Sequence, residues 1–252
     1  MKRFSVIIPN YNSEQWIDKC LNSILNQTFK DYEIIIIDDM STDGSDAIAN
    51  DLLGNKGKMV FNKTKRLNGG TRNVGIAEAT GEYCIFIDCD DWFKDNKVFE
   101  KIDNTLKNED VLFMGYDFYN GKTITNIPTY AKIEDAIKDI TCAPWTKVVK
   151  TSILKGTPFP EGTLYEDRIQ HYRKLLKCKT FKVLNESVYV WNRLNTSSIV
   201  SDNKYAYYAF DYARELCFLI NEMQDGELKE YFKNELKGYM NRLNELVGEI
   251  YG

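Results

Sequence analysis

The sequence lacks the features on which several common classes of protein depend. It has one histidine and six cysteines without a Cys-x-x-Cys pair, so we expect no zinc site and mostly buried, reduced thiols. No stretch approaches the roughly 20 apolar residues that cross a bilayer, and we expect no signal peptide. A formal net charge of −4 supplies no basic excess for nucleic acid. These absences predict a cytoplasmic protein that binds no nucleic acid.

The first 95 residues contain a regular alternation of apolar strands and amphipathic helices. Strands are predicted at 4–8, 32–37, 58–61 and 83–87. Helices are predicted at 13–27, 41–53 and 71–79. Continuous apolar strands that alternate with helices are typical of a mostly parallel sheet covered on both faces. The predicted fold class is therefore α/β.

The remainder of the chain is less regular. Helices are predicted at 97–106, 133–140, 145–154 and 166–176, and strands at 111–119 and 181–191. Two amphipathic helices are predicted after residue 200, separated by Asp225-Gly226. Packing of these helices on their own domain is favoured, while packing on a second subunit or on a membrane surface stays open.

The most unusual stretch is the acidic run Asp88-Cys89-Asp90-Asp91, directly after the fourth predicted strand. Carboxylates this close raise one another's pKa unless a cation offsets them, and no basic residue is adjacent in sequence. Hard oxygen ligands suit Mg²⁺ or Mn²⁺. The alternative is a solvated turn, because aspartate is a common turn residue.

Two further polar clusters, Pro9-Asn10-Tyr11 and Asp38-Asp39, also follow predicted strands. In open parallel sheets, ligands bind outside the carboxyl ends of the strands. We therefore expect these two clusters and the acidic run to meet in one crevice.

Several segments also stand in an informative order along the chain. They are Phe4–Tyr11, Tyr32–Ser45, Arg72–Ile76, Gly81–Tyr83, Asp88–Asp91, Trp145–Lys147 and Tyr165–Asp167. Together they resemble glycosyltransferase family 2, the inverting family with the GT-A fold. The resemblance implies a GT-A domain at residues 1–200, with a nucleotide-binding half at 1–95 and an acceptor-side half at 96–200. Residues 201–252 would form a helical C-terminal extension.

The resemblance implies that four of these positions bind a nucleotide-sugar. Pro9 and Tyr11 would line the pocket for the base and ribose. Asp39 would accept a hydrogen bond from the N3–H of uracil or thymine, since an ionised carboxylate is an acceptor only. Arg72 would contact the nucleotide, because its guanidinium suits phosphate or a base edge.

The resemblance also gives roles in metal binding, diphosphate binding and proton transfer to four other residues. Asp88 and Asp90 would form the family's DxD motif, with Asp90 binding Mn²⁺ or Mg²⁺ directly and Asp88 reaching the ribose or metal-bound water. Arg193 would lie near the diphosphate. Asp167 would be the general base that deprotonates the acceptor hydroxyl.

The implied reaction moves a sugar from a UDP- or dTDP-sugar to a hydroxyl of a saccharide or lipid-linked saccharide acceptor. Its role would be in cell-surface glycan synthesis, either in the cytoplasm or peripherally at the inner face of the membrane. A homodimer through the C-terminal helices stays open. Two alternatives also stay open: a nucleotidyltransferase, and a non-catalytic nucleotide- or saccharide-binding protein.

Some residues near these motifs have simpler interpretations. We expect Asp38 to cap a turn, Asp91 to cap a helix and Glu166 to orient the start of a helix. His171 is expected to be structural or exposed. Met40 replaces a glycine that is common after the Asp pair in the family.

Overall fold

The computed structural model describes residues 1–139, 141–163, 166–195 and 205–251. Tyr165 and the predicted domain boundary after residue 200 therefore lie outside the described residues. The strands are β1 (Phe4–Asn10), β2 (Tyr32–Asp38), β3 (Gly57–Phe61), β4 (Tyr83–Phe86), β5 (Trp92–Phe93), β6 (Val111–Tyr119), β7 (Thr123–Asn126), β8 (Lys147–Lys150) and β9 (Phe181–Asn192). The helices are α1 (Ile17–Leu25), α2 (Ser45–Leu53), α3 (Leu67–Glu78), α4 (Val98–Thr105), α5 (Ile133–Lys138), α6 (Thr151–Lys155), α7 (Glu166–Lys177), α8 (Tyr205–Glu222) and α9 (Glu227–Tyr251).

The parallel part of the sheet has the order β3-β2-β1-β4. Successive side chains of a strand point to opposite faces, and in β1 both faces are buried. Val6 and Ile8 pack with α1, α2 and α4 on one face, and Ile7 packs with α3 and α7 on the other. This double burial explains the continuous apolar runs and confirms the predicted α/β fold.

The sheet continues from β4 through β8, β6, β9 and β5, and β7 pairs with β6. Strand β8 is antiparallel to both of its neighbours, whereas β6 and β9 are parallel. The helix predicted over 145–154 is therefore wrong in part, because a short 3-10 helix (Pro144–Thr146) is followed by strand β8, and the α-helix begins only at Thr151. Val148 and Val149 are buried on opposite faces of the sheet, so pairing with β4 and β6 outweighs the apparent helical spacing.

Helix α2 begins later than predicted, at Ser45 instead of Ser41. The N–H and hydroxyl of Ser41 donate to Asp38, and those of Ser45 donate to Asp43. Side chains thus accept from the N–H groups of Ser41, Thr42 and Ser45 in a non-helical turn, which delays the helix.

Helix α3 begins earlier than predicted, at Leu67, so Gly69 lies inside it. A Cβ atom at Gly69 would lie 2.5 Å from the Pro160 carbonyl oxygen and 2.7 Å from Glu166 Cγ. The glycine is needed because α3 approaches the first residue of α7 this closely.

The C-terminal helices pack on their own domain and on each other. Side chains of α8 and α9 join the core formed by α3, α5, α6 and α7. Among the described residues, no helix combines the length and the apolar character that crossing a membrane requires.

Candidate active site

The polar clusters at the carboxyl ends of β1, β2 and β4 lie side by side, because β1 pairs in parallel with both of the other strands. Asn10 Nδ2 donates to the Asp38 carboxylate at 2.8 Å, and the Asp39 N–H donates to the Asn10 carbonyl at 2.8 Å. Asp38 is buried and also accepts from Ser41, so it caps the turn after β2, as predicted.

The Asp39 carboxylate is buried in a polar pocket. One oxygen accepts from Asn62 Nδ2 and from the Arg66 N–H, both at 2.8 Å, and the other accepts from the Leu67 N–H at 3.0 Å. These bonds use most of the roughly four acceptor positions of a carboxylate, which leaves room for one further donor. Met40 has φ 65°, the left-handed conformation in which glycine is favoured.

Pro9 and Tyr11 bracket the end of β1 beside this carboxylate. Pro9 is buried, whereas the Tyr11 ring is half exposed. The Lys65 ammonium lies over that ring and 3.6 Å from Asp39 Oδ2. A half-exposed aromatic ring, with Lys65 over one face, therefore lies close to a buried acceptor, an arrangement that suits a planar base carrying an N–H donor.

Arg72 connects the acidic run to helix α7. It is 3% exposed, and its two terminal nitrogens contact Asp88 Oδ1 at 2.8 Å and Glu166 Oε1 at 2.9 Å. Burial opposes the charge of Arg72, but Asp88 and Glu166 together raise its pKa. Burial raises the pKa of Glu166, and Arg72 opposes that shift. The Nε atom of Arg72 is itself buried and has no hydrogen-bond partner among the described residues.

The members of the acidic run have different surroundings. Burial and then the charge of Asp88 raise the pKa of Asp90, whose carboxylate accepts from Asn195 at 2.9 Å. Asp91 does not cap a helix, so that prediction is wrong. Its carboxylate is buried and accepts from the Tyr189 hydroxyl at 2.6 Å and the Asn192 N–H at 2.7 Å. Asp91 thus fastens β9 to the end of β4.

Arg193 lies on the same side of the crevice. Its guanidinium is 5.0 Å from the Trp191 ring centroid, and its charge partly opposes the rise in the pKa of Asp90 that burial and Asp88 cause. The structure therefore brings Arg193, Arg72, Asp88 and Asp90 close to one another.

The acidic run has the chemistry of a site for a divalent cation. Asp88 and Asp90 repel each other, and Asp91 lies directly behind them. Within the described parts of the chain, no group of three or more His, Cys, Asp or Glu side chains is arranged to hold a metal ion by itself. Mg²⁺ is usually held by one or two carboxylates together with substrate phosphates, so Asp88 and Asp90 fit such a shared site.

Asp167 lies in the first turn of α7, partly exposed, and accepts a hydrogen bond from the Cys142 thiol at 3.4 Å. Lys147 lies behind this pair. Its buried ammonium donates to the Thr141 and Ala143 carbonyls and to the Thr146 hydroxyl. Burial lowers the pKa of Lys147 to about 8. These contacts hold the loop that carries Cys142 against Asp167.

A cavity of about 150 Å³ lies on the other side of this loop. Its polar lining includes Tyr116, Tyr130, Asp139, Thr141 and Thr146. Trp145 is buried behind this lining, with its ring centroid 5.0 Å from that of Tyr116 and 4.5 Å from that of Tyr189, on which it stacks.

His171 points away from the crevice, into the interior. It is fully buried, its Nε2 lies 2.9 Å from the Ala136 carbonyl, and burial lowers its pKa well below the usual value. Of the two predicted possibilities, a structural or an exposed histidine, the structure shows the structural one.

Two contributors to the crevice were not singled out in the sequence. Cys142 touches Asp167, and Tyr189 connects Trp145 to Asp91. A lone cysteine in a loop and a tyrosine within a strand carry no spacing signal, so only their contacts reveal them.

The chain is similar to known proteins in sequence. The family model described as Glycosyl transferase family 2 matches residues 5–164, which is more than half of the chain. Glycosyltransferase GlyG of Streptococcus pneumoniae is 26% identical, with 77% of this chain and 71% of GlyG covered. The poly(ribitol-phosphate) beta-N-acetylglucosaminyltransferase TarS of Staphylococcus aureus is 30% identical, with 96% of this chain but only 44% of TarS covered.

Solved structures agree with this similarity. The crystal structure of a TarS fragment in complex with UDP-GlcNAc matches with a TM-score of 0.70 and 26% identity, covering 95% of this chain and 72% of the fragment. The mannosyltransferase PcManGT from Pyrobaculum calidifontis, solved with GDP-Man and Mn²⁺, has a TM-score of 0.63 at 15% identity, covering 93% of this chain and 69% of that chain. The second match is a likeness of fold alone.

Proposed function

The chain belongs to glycosyl transferase family 2, and from this membership we propose that it is a metal-dependent inverting glycosyltransferase. It would transfer a sugar from a UDP- or dTDP-sugar to a hydroxyl of a saccharide or lipid-linked acceptor. The observation that carries the proposal is the chain of contacts Asp88–Arg72–Glu166, which links an acidic donor site to the helix of a second, separate carboxylate, Asp167.

On the donor side, the base would stack on Tyr11 next to Pro9 and donate its N3–H to Asp39. Arg72 and Arg193 would face the diphosphate. Asp90, with Asp88 beside it, would hold a Mn²⁺ or Mg²⁺ ion, which would offset the negative charge on the leaving diphosphate. The UDP-GlcNAc bound to the related TarS fragment supports a uridine nucleotide as the donor.

On the acceptor side, Asp167 would take the proton from the attacking hydroxyl. A base within about 3 Å of that hydroxyl contributes on the order of 10²–10⁴-fold to the rate. The polar cavity beside Thr141 would receive the acceptor. TarS is named for transfer to a poly(ribitol-phosphate), which supports a hydroxyl-rich acceptor in a cell-surface glycan. Such a role would place the protein in the cytoplasm, at the inner face of the membrane.

The loop after β1 argues against a nucleotidyltransferase, because Asn10-Tyr11-Asn12 is not the glycine-rich, basic loop that such enzymes carry. A non-catalytic binding protein would have no use for the partly exposed Asp167 beside the crevice.

The test combines binding and turnover. UDP binding is measured by calorimetry with Mn²⁺ and with EDTA, and release of the nucleoside diphosphate, UDP or dTDP, is measured from a panel of UDP- and dTDP-sugars. We expect UDP binding that Mn²⁺ strengthens, and an Asp167→Asn variant that keeps UDP affinity but loses roughly 10²-fold or more in turnover. If the wild-type protein binds no nucleotide, the proposed function fails. If Asp167→Asn turns over normally, Asp167 is not the base.

A further inference from the structure

Glu235 on α9 connects the C-terminal helices to the helix that carries Asp167. Its side chain is 10% exposed and accepts from Arg168 Nη2 at 2.5 Å. The same carboxylate accepts from the Tyr172 hydroxyl at 3.0 Å and from the Tyr212 hydroxyl at 2.5 Å. Glu235 is therefore surrounded by donors from α7 and α8.

Arg168, which follows Asp167 directly, is held on several sides. Its Nε donates to the Tyr172 hydroxyl at 2.9 Å. The guanidinium carbon lies 5.4 Å from the Tyr212 ring centroid and 5.9 Å from that of Tyr239. A planar guanidinium with an ion pair, a hydrogen bond and two aromatic neighbours has little rotational freedom. Its backbone, in the first turn of α7, is restrained with it.

Three consecutive residues thus attach the first turn of α7 to three different parts of the molecule. Glu166 contacts Arg72, and through it the donor site. Asp167 contacts the loop that carries Cys142, and Arg168 contacts α9 through Glu235. The orientation of Asp167 depends on both of its neighbours.

We propose that Glu235 is a positioning residue for Asp167. By fixing Arg168, it holds the first turn of α7 where Asp167 reaches the attacking hydroxyl. The C-terminal helices are then part of the transfer machinery and not only a cover for the apolar core. This inference rests on the proposed role of Asp167 as the base.

The chain contains a matched control for a purely structural role. Arg173 on α7 and Glu215 on α8 form a second ion pair at 3.1 Å. The exposed fractions are 25% and 16% for this pair, and 25% and 10% for Arg168 and Glu235. Arg173 lies six residues beyond Asp167, roughly 9 Å along the helix. Glu215→Gln therefore removes a comparable contact of α7 without touching its first turn.

The experiment compares Glu235→Gln with Glu215→Gln. The full-length variants are assayed for UDP affinity by calorimetry with Mn²⁺, and for kcat and KM by UDP release from UDP-GlcNAc with water in place of the acceptor. We expect Glu235→Gln to lower kcat about 10-fold, because small misplacements of a reacting group are costly. Its UDP affinity and KM should stay within about two-fold of wild type, and Glu215→Gln should keep the wild-type kcat. Glu235→Asp, which retains the charge, should recover part of the lost kcat.

A wild-type kcat in Glu235→Gln would overturn the inference, and so would an equal loss of kcat in Glu215→Gln. If Glu235→Gln does not fold, Tyr212→Phe decides, since it removes only one hydroxyl donor to Glu235. A kcat reduced a few-fold at unchanged UDP affinity supports the inference, and an unchanged kcat overturns it. Absence of UDP binding to the wild-type protein would refute the proposed function instead.

Discussion

Replacement of Arg72 by methionine should destabilise the protein strongly. The substitution leaves Asp88 and Glu166 without their shared cation. Breaking a buried ion pair by removing one partner typically costs 3–5 kcal/mol. The Asp88 side chain is 30% exposed, so water partly screens its unpaired charge. The Glu166 side chain is only 7% exposed, so its unpaired charge is screened much less. We therefore expect Arg72→Met to lower the free energy of unfolding by about 3 kcal/mol.

Arg66→Met is the matched control, because it lies at the start of the same helix. Its ion pair with Glu161 has a distance of 3.3 Å and exposed fractions of 41% and 50%. Exposed pairs contribute about 0–1 kcal/mol, so this variant should unfold close to the wild-type urea midpoint. Both variants are measured by equilibrium urea unfolding at pH 7.5 without nucleotide or metal.

A double variant separates lost attraction from lost packing. In Arg72→Met/Glu166→Gln the Glu166 carboxylate is replaced by a neutral amide. The cost of leaving that buried charge unpaired therefore disappears. We expect the double variant to be more stable than the sum of the single changes predicts, by about 1–3 kcal/mol. Additive effects, or an Arg72→Met variant as stable as Arg66→Met, would show that the buried pair with Glu166 contributes little.

Asp90→Asn should abolish the strengthening of UDP binding by Mn²⁺, a loss of about 10-fold or more by calorimetry, while UDP affinity in EDTA stays as in wild type. Retention of the Mn²⁺ effect would remove Asp90 from the metal site. Burial lowers the pKa of Lys147 to about 8, so above that pH the unfolded chain binds more protons than the folded protein. The stability of the wild type relative to Lys147→Met should therefore rise by roughly 2 kcal/mol between pH 8 and 9.5 in urea unfolding. A constant difference would mean that Lys147 keeps its proton in the folded protein.

The strands of the parallel sheet could be predicted because their cause is local to the sequence. Strands β1 and β2 are buried on both faces, which leaves uninterrupted apolar runs between polar turns. Strand β8 could not be predicted in this way. It is a four-residue segment that is a strand because β4 and β6 lie on its two sides, and those partners are distant in sequence.

The same distinction applies to the candidate site. The positions of the strand ends in the sequence predicted which carboxylates meet. In a parallel sheet, Asp39, Asp88 and Asp90 all follow the carboxyl ends of neighbouring strands. Their partners could not be predicted. The acidic run has no basic neighbour in sequence, yet Arg72 reaches Asp88 from α3, and Glu166 joins them from 94 positions beyond Arg72. Pairing over such separations is decided by the packing of α3 against α7.

The different surroundings of Asp90 and Asp167 explain how aspartate could serve two different purposes in this crevice. Burial and then the charge of Asp88 raise the pKa of Asp90, so this end carries an excess of negative charge that a cation would offset. Asp167 instead has Arg168 and the buried Lys147 on its own side, with Cys142 donating to it. A cation is therefore expected to prefer the acidic run over the start of α7. That separation is what an inverting transfer requires, because the leaving diphosphate and the attacking hydroxyl lie on opposite faces of the sugar.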